Sequence, residues 1–215
     1  MVDQVVISNP LDPRAQPLIE DLIQEYQSRY GTLFDGEGAK AELYRYPPEA
    51  FAEPDGNFLL ILREGETIAG GAFMRYDDDT AEFKRIWTRS DLRRQGLARR
   101  IVLALEDAAA AQGYTRVYLT TGFRQPEATA LYVGLGYRRL FDPAIDLALY
   151  RSLPFEKHIG PLAGKPGTTP LKEPAASIEE ADARQAAAKA VHAAKVAAHV
   201  AAARDAGRRD RTRSA

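Results

Sequence analysis

The 215-residue sequence predicts an α+β fold: a mixed, mostly antiparallel sheet of about six or seven strands flanked by helices, with a C-terminal helical extension. Three observations predict it. Strand-like runs at 57–63, 67–76 and 81–88 follow one another, separated by Glu64-Gly65-Glu66 and Asp77-Asp78-Asp79-Thr80. Both connections have turn composition, so the runs form an antiparallel meander. The third run leads through a glycine turn into an alanine-rich amphipathic segment and then a further apolar run at 116–121. That order describes a right-handed strand–helix–strand crossover. Beyond residue 158 the composition changes, first to Gly and Pro and then to alanine.

The elements follow in order. Val5 to Ser8 reads as a first strand, and Asp12-Pro13 supplies a cap with proline at the first helical position. Leu18, Ile19, Leu22, Ile23 and Tyr26 recur at helical spacing, which predicts an amphipathic helix over roughly 13–30, stopped by Gly31. Gly36 to Pro54 reads as a short helix and loops around Tyr44-Arg45-Tyr46-Pro47-Pro48. After the meander, Leu97 to Gln112 is a helix ended by Gly113, with Leu97, Ile101, Ala104, Leu105 and Ala108 inward. A short helix over 126–135 precedes strands near 137–140 and 147–157. The organisation is a body over 1–158, a Pro/Gly linker over 159–177 and an Ala-rich, basic-ended helical tail over 178–215, expected to be solvated.

Composition excludes several chemistries. With no cysteine, there is neither a disulfide nor a thiolate nucleophile nor a thiolate metal site. His158, His192 and His199 all lie outside the motif-bearing region, which argues against a histidine triad or a zinc centre. No metal is expected, and Asp77 to Asp79 reads as a turn. No basic leader or membrane-length apolar run is present, so the expectation is a cytoplasmic protein without membrane contact. Residues 1–158 carry 19 Lys+Arg against 24 Asp+Glu, and the remainder 10 against 6, so an acidic body bears a mildly basic tail. The tail lacks aromatic interleaving, and nucleic acid is not an expected partner. A homodimer is left open. His192 and His199 read as surface residues of the tail helix.

The most informative stretch is Arg93-Arg94-Gln95-Gly96-Leu97-Ala98, placed between a strand and a helix. There the helix's first N–H groups and its positive dipole end converge, which suits a phosphate. Gly96 allows close approach of an anion, Ala98 keeps the first turn slim, and the arginines add charged donors. A plain loop followed by a helix start is the rival reading.

Together with Ala81-Glu82-Phe83-Lys84-Arg85-Ile86-Trp87 and Ala130-Leu131-Tyr132-Val133-Gly134-Leu135-Gly136-Tyr137, the turn resembles the motif order of the GNAT superfamily of N-acetyltransferases, over roughly residues 4–158. The resemblance implies acetyl-CoA as acyl donor and a small-molecule or peptide amine as acceptor. It implies that the turn holds the CoA pyrophosphate through the N–H groups of Arg94 to Ala98. It implies that backbone at Ile86, Trp87 and Thr88 pairs with the pantetheine arm where strands 81–88 and 116–121 splay. It further implies Tyr132 as general acid for the departing thiolate and Glu82 as base. Gln125 stands near the family's arm-contacting asparagine. Each has an ordinary structural rival: Tyr132 as a core aromatic, and Glu82 as a carboxylate paired with Lys84 or Arg85. Tyr44 and Tyr46 suit either an acceptor pocket or aromatic loop packing. The acceptor loops are placed at roughly 31–56 and 141–150. The alternative to an enzyme is a non-catalytic CoA-binding or interaction module working through its tail.

Overall fold

The computed structural model describes residues 2–31 and 38–213, those from 207 onward by backbone alone. Among the described residues seven strands form one sheet: β1 (Gln4–Ile7), β2 (Asn57–Arg63), β3 (Glu66–Arg75), β4 (Thr80–Thr88), β5 (Arg116–Gly122), β6 (Arg138–Arg139) and β7 (Ser152–His158). Their order across the sheet is β1-β2-β3-β4-β5-β7-β6, and only β4 and β5 run parallel. The helices are α1 (Gln16–Tyr30), α2 (Gly38–Tyr44), α3 (Leu97–Ala111), α4 (Pro126–Gly134) and α5 (Ile178–Arg213). The mixed α+β reading holds, with strand and helix bounds within a few residues across the meander and the crossover. The expected mixed stretch from Gly36 begins among residues outside those described.

Two apolar layers sandwich the sheet, and strand alternation sorts residues between them. Leu59 and Ile61 of β2 face α3, packing in one cluster with Ile101, Val102 and Leu105. Phe58, Leu60 and Leu62 face the other way, in a cluster with Leu18, Ile19 and Leu22 of α1. Every residue of β2 but Arg63 is therefore buried, and the strand reads as one continuous apolar run.

The decisive irregularity lies in β4. Ala72 pairs with Lys84 but Gly70 with Trp87, so Gly71 faces both Arg85 and Ile86 in a β-bulge. Arg85 takes a left-handed φ of 59°. Its guanidinium donates to the Leu43 carbonyl and lies 4.2 Å from the Phe51 ring centroid, which pins the bulge from the α2 side. Beside it the parallel pairing stops. Only Thr80 to Phe83 pair with Arg116 to Leu119, and past that point β4 keeps β3 while β5 keeps β7. The sheet thus opens a wedge between its fourth and fifth strands.

Two expectations need correction, and a third stretch is held more firmly than its composition suggests. The strand expected from 147 begins only at Ser152, because Asp146 accepts from Ala148 N at 2.9 Å and caps a 3-10 turn over Leu147–Leu149. The stretch expected as a linker is fastened to β7 and its surroundings: Thr169 donates to Glu156 Oε2, and Lys172 Nζ donates to the carbonyls of Tyr150 (2.7 Å) and Ser152 (3.0 Å). The tail helix is not solvated all round. Val196 and Val200 are buried among the residues of the α1-side layer, and Ala193 packs against them. Ion pairs of Asp182 with Arg151, Lys189 with Glu42 and Arg204 with Glu49 then tie α5 down along its length, and His192 and His199 add contacts to Glu82 and Asp55. Its alanine stripe buries little apolar area, so charge pairing with the body supplements that packing.

Candidate active site

The wedge and the glycine turn meet at the end of β4. A 3-10 turn, Ser90–Leu92, delivers the chain to Arg93 in extended conformation; Arg94 and Gly96 then take left-handed φ of 64° and 79°, and Gly96 becomes the N-cap of α3. Arg93, Arg94, Gln95 and Gly96 are exposed, while Leu97 is buried as the helix's first anchor and Ala98 is half-buried. Left-handed backbone at Arg94 and Gly96 beside a helix start is the kind of turn whose N–H groups can receive an anion. Nothing lies within 4 Å of where a Gly96 Cβ would stand, so its glycine serves conformation and approach of a ligand, not packing. Arg93 is partly engaged already, at 2.9 Å from Glu25 of α1.

Ile86 packs toward the α3 layer, whereas Trp87 is buried in the α1 layer, its Nε1 donating to Asp21 at 3.2 Å. Their backbone lies on the stretch of β4 that β5 has left. Thr88 Oγ1 is buried there without a hydrogen-bond partner. An extended chain bearing amides and carbonyls fits such an edge.

On the α1 face of the wedge lies a cavity of about 310 Å³, bounded by β4, β5, α1, α2 and α5. Tyr26, Tyr46, Tyr76 and Tyr118 form its aromatic wall, and Glu82 and Lys84 project into it from alternate positions of β4. Glu82 is 3% exposed. Its Oε1 lies 2.7 Å from Lys84 Nζ and its Oε2 lies 2.6 Å from His192 Nε2. The histidine contact is close but poorly aligned, leaving both Oε2 and Nε2 buried without a well-formed hydrogen bond. Burial pushes the Glu82 carboxyl up, yet Lys84 and His192 together outweigh it and hold the group below its ordinary value. Conversely, burial would lower the Lys84 ammonium, but Glu82 chiefly, then Tyr46, raises it. The sequence's rival reading for Glu82, an ion pair with Lys84, is thus present.

The other expected residues separate. Tyr132, on α4, is buried in the α3-side layer with its ring 5.6 Å from those of Tyr137 and Phe155, and it does not line this cavity. Burial, and secondarily Tyr26, raises its phenol far above the ordinary value, so it stays protonated. Tyr26, by contrast, lines the cavity. Gln125 lies at the cavity edge, but its Oε1 already accepts from Gly122 N and Thr121 Oγ1, both at 2.9 Å. It braces the β5–α4 turn, and only its amide N–H groups remain for a ligand. Of the two tyrosines before Pro47, Tyr46 lines the cavity and Tyr44 is 53% exposed.

Sequence reasoning missed His192. Read as a surface residue, it has a side chain only 17% exposed, with Tyr46 and Tyr76 rings each 5.6 Å away. His199 is half-buried and 3.0 Å from Asp55. A signal existed in Ser177-x-x-Glu180, a capping-box pattern that marks an ordered helix start. Ser177 Oγ indeed accepts from Glu180 N at 3.2 Å. Among the described residues no cluster of side chains suits a metal ion, and no helix is long and apolar enough to cross a membrane.

The acetyltransferase (GNAT) family profile matches residues 18–137, more than half of the chain. The chain is 27% identical over 132 residues to the uncharacterized N-acetyltransferase YjgM of Escherichia coli strain K12, covering 58% of this chain and 77% of that protein. It is 28% identical over 123 residues to the IAA acetyltransferase of Azospirillum brasilense, covering 57% and 78%. The crystal structure of a PaiA N-acetyltransferase from Thermoplasma acidophilum in complex with coenzyme A has the same fold, with a TM-score of 0.52 at 13% identity over 74% of this chain and 99% of that one. The matched segment runs from α1 through the bulged strand, the wedge and the glycine turn to the end of α4, and on that ground the chain belongs to the GNAT family of acetyltransferases.

Proposed function

We propose that the protein transfers the acetyl group of acetyl-CoA to an amine by direct attack within a ternary complex. One observation carries the reading: the parting of β4 and β5 opens beside the left-handed glycine turn that starts α3. The turn offers N–H groups to a diphosphate, and the freed β4 edge offers a ladder to an amide-bearing arm. Thr88 Oγ1 adds a buried polar atom in want of a partner. These are the needs of CoA in sequence from one end to the other. That the PaiA structure holds coenzyme A on this fold supports the same choice of donor.

The acceptor amine enters from the tyrosine-walled cavity. Its nitrogen, once deprotonated, forms a bond to the thioester carbonyl carbon, and collapse of the tetrahedral intermediate breaks the carbon–sulfur bond. Backbone N–H groups around Ile86 to Thr88 stabilise the oxyanion. The phenol of Tyr132 supplies the proton that the thiolate takes up, and the second amine proton leaves to solvent. No covalent enzyme intermediate is involved. The alternative of a non-catalytic module whose tail serves a partner draws no support from a tail docked against the cavity.

The test combines binding with turnover. Acetyl-CoA should bind by calorimetry, Gly96→Asp should lose that binding, and thiol release should follow addition of one or more members of an amine panel. Tyr132→Phe should slow turnover about tenfold, below the usual hundredfold or more for a general acid because thiolate leaves readily, with acetyl-CoA affinity unchanged. Acetyl-CoA binding without transfer to any amine would refute the reading.

A further inference from the structure

We propose that His192, delivered by α5, is the residue that accepts the proton of the acceptor amine, with Glu82 as the carboxylate that orients it. The inference deepens the N-acetyltransferase reading above and rests on it. Four observations converge on this residue. His192 lines the cavity that adjoins the wedge, and it also borders a second cavity of about 560 Å³ on its far side. Its ring is clamped between Tyr46 and Tyr76, each at 5.6 Å. Its Nε2 is buried against Glu82 Oε2 at 2.6 Å, so Nδ1 is the nitrogen that no carboxylate engages. Glu82 itself is spoken for, with Lys84 at one oxygen and His192 at the other.

The chemistry favours the imidazole over the carboxylate. A carboxylate clamped by an ammonium at 2.7 Å is held in its ionised form and is a poor proton acceptor. An imidazole beside that carboxylate gains a partner when it becomes charged, the arrangement by which a buried acid orients and supports a histidine base. The step balances simply. An ammonium acceptor gives one proton to Nδ1 and becomes the neutral nucleophile. After the N–C bond forms, the second nitrogen proton is lost to solvent as the C–S bond breaks, the Tyr132 phenol gives its proton to sulfur, and solvent returns a proton to the phenolate. His192 returns its proton to water through the second cavity. The charged and titratable groups around it are Glu82 and Lys84 from β4, Tyr46 after α2, Tyr76 after β3 with the tilted ring of Tyr118 4.8 Å from it, and Lys189 and Lys195 on α5 itself. Lys189 is paired with Glu42, and Lys195 donates to the Tyr76 carbonyl, so neither competes for the Glu82 oxygen.

The experiment is a pH–rate profile of the full chain, its His192→Gln and His192→Ala variants, and Glu82→Gln, on whichever amine the wild type acetylates. In the wild type kcat/KM should fall toward acid pH, since a protonated imidazole accepts nothing. Both His192 variants should lose about a hundredfold or more in kcat, the usual range for a removed general base, and lose that acid limb, while acetyl-CoA affinity stays within about twofold of wild type as the turn is untouched. Added imidazole should restore part of the His192→Ala rate and none of the His192→Gln rate, where the glutamine fills the space. Wild-type kcat with the acid limb intact in His192→Gln, alongside an inactive Glu82→Gln, would overturn the proposal and make Glu82 the base. A helix that merely props the cavity would be revealed by a raised KM, an unchanged pH profile and no rescue. Wild-type protein that binds acetyl-CoA yet acetylates nothing would overturn the N-acetyltransferase reading and this role together, an outcome distinct from active His192 variants.

Discussion

Lys84 Nζ lies 2.7 Å from Glu82 Oε1, two residues along the same strand and on the same face, where strand alternation alone sets them side by side. Glu82 is almost wholly buried and Lys84 about a fifth exposed. Glu82→Gln should therefore strand a cation in poor solvent, costing about 2–3 kcal/mol, at or just below the range for a fully buried pair because Lys84 is partly exposed. At ~2–4 °C per kcal/mol for a domain of this size, melting should fall by several degrees. The double variant Glu82→Gln/Lys84→Met should recover part of the loss. Equal destabilisation by single and double variants would show that the pair contributes nothing. The sign with pH follows from the depressed folded value of Glu82, whose contribution is complete above the unfolded carboxylate value and is lost as pH falls through the folded one. Acid should thus destabilise wild type more steeply than Glu82→Gln, as denaturant titrations across pH will read.

At the glycine turn, strain and binding can be separated. Arg94 holds a left-handed φ that costs a non-glycine residue about 1 kcal/mol. Arg94→Gly should raise thermal stability slightly while weakening acetyl-CoA binding, because the guanidinium goes with the strain. Gly96→Ala should do the opposite to stability, lowering it by about 1 kcal/mol through backbone strain alone, since no neighbour obstructs a Cβ there. Melting curves with and without acetyl-CoA give both readouts. Arg94→Gly binding as tightly as wild type would remove Arg94 from the cradle.

Docking of α5 depends at its start on Arg151, 7% exposed, whose Nε lies 2.6 Å from Asp182 Oδ1. Asp182→Asn leaves that guanidinium without its counter-charge. Amide exchange in the first turns of α5 should accelerate by about tenfold or more, corresponding to roughly 1.4 kcal/mol or more in local opening, with the exchange of β2 and β3 unaltered. Uniform protection of α5 in the variant would show that its valines suffice to hold it.

The meander, the crossover and the glycine turn were legible because each is local: alternation, turn composition and a helix start are written within a few residues of one another. The body of Glu82's environment was half legible, since Lys84 lies two positions away. What could not be read is what depends on distance in the chain. His192 reaches Glu82 across more than half the sequence, and no periodicity announces a partner for a lone histidine on an alanine-rich helix. The same holds for the linker, where Lys172 finds two carbonyls that have no sequence signature. Low hydrophobicity suggested a solvated tail. In fact α5 docks by a few small apolar contacts and a line of charge pairs, a mode that composition under-reports. Gln125 was placed correctly at the turn, yet its oxygen serves the turn's own backbone.

The placing of His192 on α5 also sets an order of events during synthesis. All seven strands and the glycine turn precede α5 in the chain. Folding of the earlier segments begins while later ones are still being made, so the sheet and the glycine turn can form before His192 has been translated. A product interrupted between β7 and His192 would carry the sheet and the glycine turn without the residue proposed to accept the proton. On the proposal that His192 accepts the proton, acetyl transfer waits until α5 has been translated and has docked against the sheet.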